Sequence, residues 1–334
     1  MRKHTLAAAF LLLSLYHANA QAPRGISIDE YQKAKAFKVA DLDNDTYVKF
    51  DNTYVLDRYE GKKPYFITGD DGNKKRVDLY ALSAKKDGSN LGTVIFYTNE
   101  KGKQYAACLP NNFADGKVWE QYFTDIHAID KEEPNFVLKL SYVLSREFSF
   151  QAYKSTLKGG EADRAEAATY GNDICFPGDE EVLMANGSKK QLASIVAGDQ
   201  VITVDPATGT QKAVTVKQLI THEARNYAVT QLTLVRTQQA SKEQGHEVHM
   251  SIRKVEATPN HPITTPEGNS SFGALREGQQ VWCLNKETNK YEPYQVWQKN
   301  ETVQGTQQVY NMDAEGGSTF VIDGVMVLQK QPQK

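Results

Sequence analysis

Short apolar runs broken by turn residues repeat along most of this chain. In the first half, Tyr65-Phe66-Ile67-Thr68 runs into Gly69-Asp70-Asp71-Gly72. Val77-Asp78-Leu79-Tyr80-Ala81-Leu82 alternates at period two, and Thr93-Val94-Ile95-Phe96-Tyr97 stops at the hairpin-type turn Asn99-Glu100-Lys101-Gly102. Each run predicts a strand, because successive side chains of a strand face opposite sides. Residues 28–39 and 118–129 carry helical spacing instead. Phe136 to Ala152 is rich in Val, Leu, Phe and Tyr, and fits either two strands or one helix. Residues 21–158 are therefore expected to form an α+β, strand-rich N-terminal domain of no readable function.

Gly159-Gly160-Glu161-Ala162-Asp163-Arg164-Ala165-Glu166-Ala167-Ala168 has the composition of a polar linker. Past residue 175 the short runs resume. Asn186-Gly187 is a strong hairpin signal. Gly198 to Pro206 reads as a strand between turns, and Ala228 to Val235 and Val248 to Val255 predict two strands flanking a polar loop, Thr237 to Gly245. Val309 to Met312 and Thr319 to Leu328 complete the set. Many short strands at regular spacing predict an all-β domain. The expected organisation is a leader (1–20), the N-terminal domain (21–158), a linker (159–174), an all-β domain (175–329) and a tail (330–334).

Length, charge, the N-terminal residues and the cysteine count sharpen this picture. The 334 residues suit about two domains. A net charge of −2, with 24% charged residues, gives no basic surface for nucleic acid. Arg2 and Lys3, the apolar run Leu6 to Leu15 and the small-residue site Ala18-Asn19-Ala20 form a signal peptide pattern. That run is too short for a membrane span of about 20 residues. The expected location is secreted, periplasmic or at the cell surface, with no transmembrane segment. Cys108, Cys175 and Cys283 make an odd count, which leaves at least one thiol unpaired or bridged between molecules.

Two metal-like patterns carry little. His246 and His249 are three apart, so on one strand they face opposite sides and do not chelate together. They read as solvated hairpin residues. Asp41-Leu42-Asp43-Asn44-Asp45 begins like a calcium loop, but Thr46 and Asn52 stand where Gly and Glu belong. It reads as a turn.

Four segments carry a family resemblance. The first is Cys175-Phe176-Pro177-Gly178-Asp179-Glu180-Glu181-Val182-Leu183-Met184-Ala185-Asn186-Gly187, continuing through Val196-Ala197-Gly198-Asp199-Gln200-Val201 to Asp205. The second is Thr258-Pro259-Asn260-His261-Pro262-Ile263, and the third runs from Phe272 to Val281. The last joins Val309-Tyr310-Asn311-Met312 to Thr319 through Val327. In this order they resemble the motifs of the Hint module, shared by Hedgehog C-terminal domains, inteins and bacterial intein-like proteins. The resemblance covers about residues 175–329 and implies an all-β Hint fold. It also implies self-cleavage between Ile174 and Cys175, with Cys175 as nucleophile and Thr258 and His261 as the pair that activates the amide.

The chemistry suits those residue types. Thiol attack on the Ile174 carbonyl converts the amide to a thioester, and a free thiol with pKa near 8.5 needs activation. An amide nitrogen leaves poorly because resonance holds it planar. A histidine acid with a pKa near the working pH would protonate it. Thr258 would hold the peptide or orient the imidazole.

Departures from the family pattern limit the reaction. Splicing inteins end in His-Asn followed by Cys, Ser or Thr, whereas this chain has Leu328-Gln329 followed by Lys330. Position 311, acidic or Cys in many inteins, is Asn. Hedgehog proteins pass the thioester to a sterol through an extra C-terminal region, for which no residues remain here. The expected activity is a single-turnover cysteine autoprocessing reaction without splicing. Its substrate is the chain's own N-terminal domain, and the thioester acceptor is water or an unidentified nucleophile. It needs no cofactor and no metal, and it releases the N-terminal domain. The rival expectation is a secreted binding or surface protein whose Hint half is an inert scaffold.

Overall fold

A computed structural model describes residues 24–58, 62–146, 174–224, 227–305 and 307–329. The expected leader, all of the linker but Ile174, and the tail lie outside these residues. The first part carries α1 (Ile28–Lys35), β1 (Tyr47–Phe50), β2 (Tyr54–Asp57), β3 (Tyr65–Gly69) and β4 (Lys74–Ala84). It continues with β5 (Asn90–Thr98), β6 (Gln104–Pro110), α2 (Gly116–Glu132) and α3 (Phe136–Ser145). Past Ile174 come β7 (Glu181–Leu183), β8 (Lys189–Gln191), β9 (Gln200–Val204), β10 (Gln211–Ala224), β11 (Tyr227–Lys242) and β12 (Gly245–Ala257). The last strands are β13 (Pro262–Thr265), β14 (Gly268–Ser271), β15 (Gln280–Asn285), β16 (Lys290–Gln304), β17 (Gln307–Ala314), β18 (Thr319–Ile322) and β19 (Val325–Leu328).

The chain forms two compact units. Among the described residues, the first holds those up to Lys62, Asp78–Tyr97 and Gln104–Val137; the second holds Lys63–Val77, Thr98–Lys103 and those from Leu138 onward. In the first unit, β2 pairs with β1 and with Ala81–Ala84 of β4, and β5 lies between β4 and β6. Helices α1 and α2 pack on β6. A capping box starts α1: Ser27 Oγ accepts the Glu30 N–H, and the Glu30 carboxylate accepts the Ser27 N–H. Asp115 caps α2 by accepting the Val118 N–H at 3.1 Å. Val118, Tyr122 and Ile126, spaced one turn apart, form its buried face. The Asp41 carboxylate accepts the N–H groups of Asp43 and Asn44, so this segment is an Asx turn.

Of the run Phe136 to Ala152, residues 147–152 lie outside the described residues, and Phe136–Ser145 forms one helix. Its buried residues Phe136, Leu140, Val143 and Leu144 fall at helical spacing.

In the second unit the strands run β3-β12-β11-β16-β15-β19-β18-β7-β8, with β13 joining β14 to β19. Strands β17, β10 and β9 form a separate sheet. Phe176, Val182, Leu192, Leu232, Val255, Ile263, Phe272, Val281, Tyr294, Met312 and Phe320 belong to one buried core. Asp323-Gly324 makes the two-residue turn between β18 and β19, both at positive φ, which is the hairpin geometry that Asp-Gly favours.

The expected polar loop, Thr237 to Gly245, is instead strand through Lys242, a two-residue turn at Glu243-Gln244, and the start of β12 at Gly245. Pairing of β11 with β12 runs from Thr230 opposite Ala257 to Lys242 opposite Gly245. Its polarity records exposure from Gln238 to Gln244, since backbone pairing continues whatever the side chains face. No helix among the described residues is long and apolar enough to cross a membrane.

Candidate functional site

The segment Ile174–Phe176 enters the second unit against β17. Phe176 and Tyr310 exchange both backbone hydrogen bonds at 2.9 Å, which fixes the chain beside Cys175. Gly178 permits this approach, because a Cβ there would lie 2.6 Å from the Tyr310 ring and 2.9 Å from Ala193 Cβ.

Thr258, in the turn between β12 and β13, holds Cys175 from both ends. The Cys175 N–H donates to Thr258 Oγ1 at 3.1 Å, and the Thr258 N–H donates to the Cys175 carbonyl at 2.9 Å. The turn is pinned in its own right. The His261 N–H donates to Thr258 O, Phe272 N–H to His261 O, and Gly273 N–H to Pro259 O. Cys175, Thr258 and His261 are all buried.

The other side of the same amide is held by a residue that sequence reasoning did not place in the site. Asn311 on β17 donates from Nδ2 to the Ile174 carbonyl at 2.7 Å. Its Oδ1 accepts the Met312 N–H at 2.7 Å, so the amide cannot turn its oxygen toward Ile174 without losing that bond. The only sequence signal was that position 311 departs from the acidic residue or Cys of many inteins. The Ile174–Cys175 amide is thus gripped at oxygen by Asn311 and at nitrogen by Thr258.

His261 sits against aromatic rings, 4.0 Å from Phe176 and 5.9 Å from Phe272 between centroids. Nδ1 lies 3.1 Å from the Pro262 carbonyl, which only accepts, so Nδ1 carries the proton. Nε2 is buried, and among the described residues it has no hydrogen-bond partner. Burial pushes the His261 pKa down to about 3, against a smaller upward pull from the Pro262 carbonyl. Burial thus works against the expected histidine pKa near the working pH. Among the described residues no anionic group offsets the desolvation, which favours the neutral imidazole.

The other two cysteines lie apart from this arrangement. Cys108 is on β6 and Cys283 on β15, both buried and neither in a disulfide. Burial raises the Cys108 thiol to about 12 and shifts Cys283 the same way. Gln329, at the position of the terminal Asn of splicing inteins, donates from Nε2 to Asp313 Oδ1 at 3.0 Å and to Ala314 O at 3.2 Å. No group of three or more metal-ligating side chains occurs among the described residues. His246 is not a merely solvated hairpin residue, since its ring lies 4.8 Å from that of Tyr65.

Residues 161–326 match the family model described as the Hint module. Among solved structures, the chain is similar to a DnaB intein from Synechocystis sp. PCC 6803, at 15% identity over 48% of this chain and 100% of that one, with a TM-score of 0.37. It is similar to a bacterial intein-like domain from Clostridium thermocellum, at 18% identity over 48% of this chain and 100% of that one, with a TM-score of 0.37. An intein from a hyperthermophile shares 15% identity over 47% of this chain and 100% of itself, with a TM-score of 0.37. No curated protein matches the chain. By the match across residues 161–326, the C-terminal half of this chain belongs to the Hint family of modules that process their own polypeptide.

Proposed function

We propose that the chain cuts itself at Ile174–Cys175 by an N–S acyl shift followed by cleavage of the thioester. The observation that carries this reading is the double grip on one amide, by Asn311 at its oxygen and Thr258 at its nitrogen. Cys175 Sγ attacks the Ile174 carbonyl carbon, and the thiol proton passes to the bare Nε2 of His261. Negative charge gathers on the Ile174 oxygen, where the Asn311 donor already stands at oxyanion-hole distance. The C–N bond then breaks, and the Cys175 nitrogen takes the proton. The products are an Ile174 thioester on Cys175 Sγ and a free Cys175 amine. Water then yields the Ile174 carboxylate and regenerates the thiol.

Cleavage without splicing is supported at the far end of the module, where the Gln329 amide is tied to Asp313 and Ala314. The leader pattern supports export of the chain, and the first half would be the substrate.

Intact masses of wild type beside Cys175→Ala, with and without dithiothreitol, test the reading. Expected are fragments meeting at Ile174/Cys175 in wild type, a faster cut with thiol, and no cut in the variant. Asn311→Ala should slow the cut by about 10²- to 10³-fold, the usual cost of one oxyanion donor. Full-length wild type under both conditions, with the fold intact, would sink the proposal.

A further inference from the structure

The second unit is built from chain on both sides of the Ile174–Cys175 bond. Lys63–Val77, far upstream of the bond, lies within it. Strand β3 adds to the outer edge of β12 in parallel, with Tyr65–Gly69 opposite His246–Met250. The contact is buried on both strands: Ile67 is 0% exposed, and Val248 and Met250 are 2% and 1% exposed. The His246 N–H donates to the Pro64 carbonyl at 2.9 Å, and Lys63 Nζ to the Lys242 carbonyl at 3.1 Å. Gly245 leaves room for this crossing, since a Cβ there would lie 2.6 Å from Pro64 O.

One ion pair, between the buried Arg253 and the exposed residue Asp70, locks the end of the strand. Arg253 on β12 binds the Asp70 carboxylate, while Nη1 also donates to Ile252 O at 2.8 Å and Nη2 to Leu284 O at 3.1 Å. Its guanidinium lies over the Tyr294 ring at 5.4 Å. Residues downstream of the cut therefore hold Arg253 in place, and Asp70 upstream supplies its anion. Farther along, Tyr142 OH on α3 donates to Gln239 Oε1 on β11 at 3.1 Å.

We propose that self-cleavage does not release the first half, and that the product is a two-chain protein. The downstream chain keeps β3 as a strand of its own sheet. Losing β3 would bare a row of unpaired backbone groups on β12 and leave Arg253 buried without its carboxylate. The surface offered by β12 thus has one fitted partner, an extended segment of this same chain ending in a carboxylate. Separation needs a further step that strips β3 from the sheet. This inference rests on cleavage at Ile174–Cys175 and replaces release as its outcome.

Two arms separate the inference from the reading beneath it. In the first, wild-type chain that denaturing mass spectrometry shows to be cut is run on native size exclusion at roughly 1 µM, where a stable complex persists. In the second, Cys175→Ala carries a specific protease site inserted between Gly159 and Ala168, is cut there, and is run in the same way. Co-elution of both fragments at the size of the uncut chain, with separation in denaturant, is expected in both arms. Asp70→Arg should weaken retention at least about 10-fold, because it removes the anion of the buried Arg253 and sets a like charge beside it. An uncut wild type beside co-eluting fragments in the second arm would overturn the two-chain product while keeping the β3 clamp. Folded fragments that elute apart in the second arm would overturn the clamp itself.

Discussion

His261 is a histidine held neutral by its surroundings, and this makes the fold sensitive to acid in a defined window. Its pKa falls from the ordinary 6.5 to about 3 on folding. Between those values the unfolded chain binds a proton that the folded chain refuses. Stability from this group is therefore complete above about pH 6.5 and is lost as pH falls toward 3, at up to about 1.4 kcal/mol per pH unit. His261→Gln removes that slope. Urea midpoints at pH 7 and pH 4.5 should show wild type losing more stability than the variant on acidification; equal losses would mean that His261 is not buried neutral. Asn311 shows the complementary case. An amide with its oxygen already bonded to Met312 can only offer hydrogen to Ile174, whereas a carboxylate in its place would offer only lone pairs to a developing oxyanion.

At the level of elements, the site depends on how tightly the segment before β7 lies on β17. Gly178→Ala should force the Tyr310 ring aside, at a cost of about 1–3 kcal/mol for overpacking. Tyr310 exchanges hydrogen bonds with Phe176 and neighbours Asn311, so the shift reaches both sides of the gripped amide. A misplacement of about 1 Å is enough to slow such a reaction by about 10²-fold. Urea midpoint and cleavage rate should fall together; an unchanged midpoint would show that the ring moves freely.

The strands that meet here were readable because their apolar runs are local, as in Gln200–Val204 and Thr319–Ile322. So were Cys175 and the Thr258-x-x-His261 turn, whose spacing is fixed within one short segment. Asn311 was visible only as a departure, since its role depends on where the Ile174 oxygen arrives. The outer half of the β11–β12 hairpin was read as a loop because exposed strand and exposed loop share a composition. The β3–β12 pairing left no sequence signal at all, because register between distant segments is set by tertiary packing.

For the whole molecule, the site exists only after the second unit has folded. Ile174, Thr258, His261 and Asn311 come from three separated stretches, and the strand leading into Thr258 is the one that β3 covers. A chain beginning at Gly159 keeps every proposed site residue but loses β3 and Asp70. Its bare β12 edge should lower the urea midpoint and promote association that rises with concentration, as open strand edges do. Arg253 gives this prediction a sign that mere loss of material would not. In the full chain, Arg253→Leu removes the ion pair with Asp70 and the bonds to Ile252 and Leu284, and should destabilise. In the shortened chain the arginine is already without its anion, and replacing a buried unpaired charge by an apolar side chain should be neutral or stabilising. Urea midpoints of the two chains, each with Arg253 and with Leu at that position, would show opposite or clearly unequal shifts. Equal losses in both would mean that Arg253 serves the downstream sheet through Ile252, Leu284 and Tyr294 alone, and that β3 adds nothing to its stability.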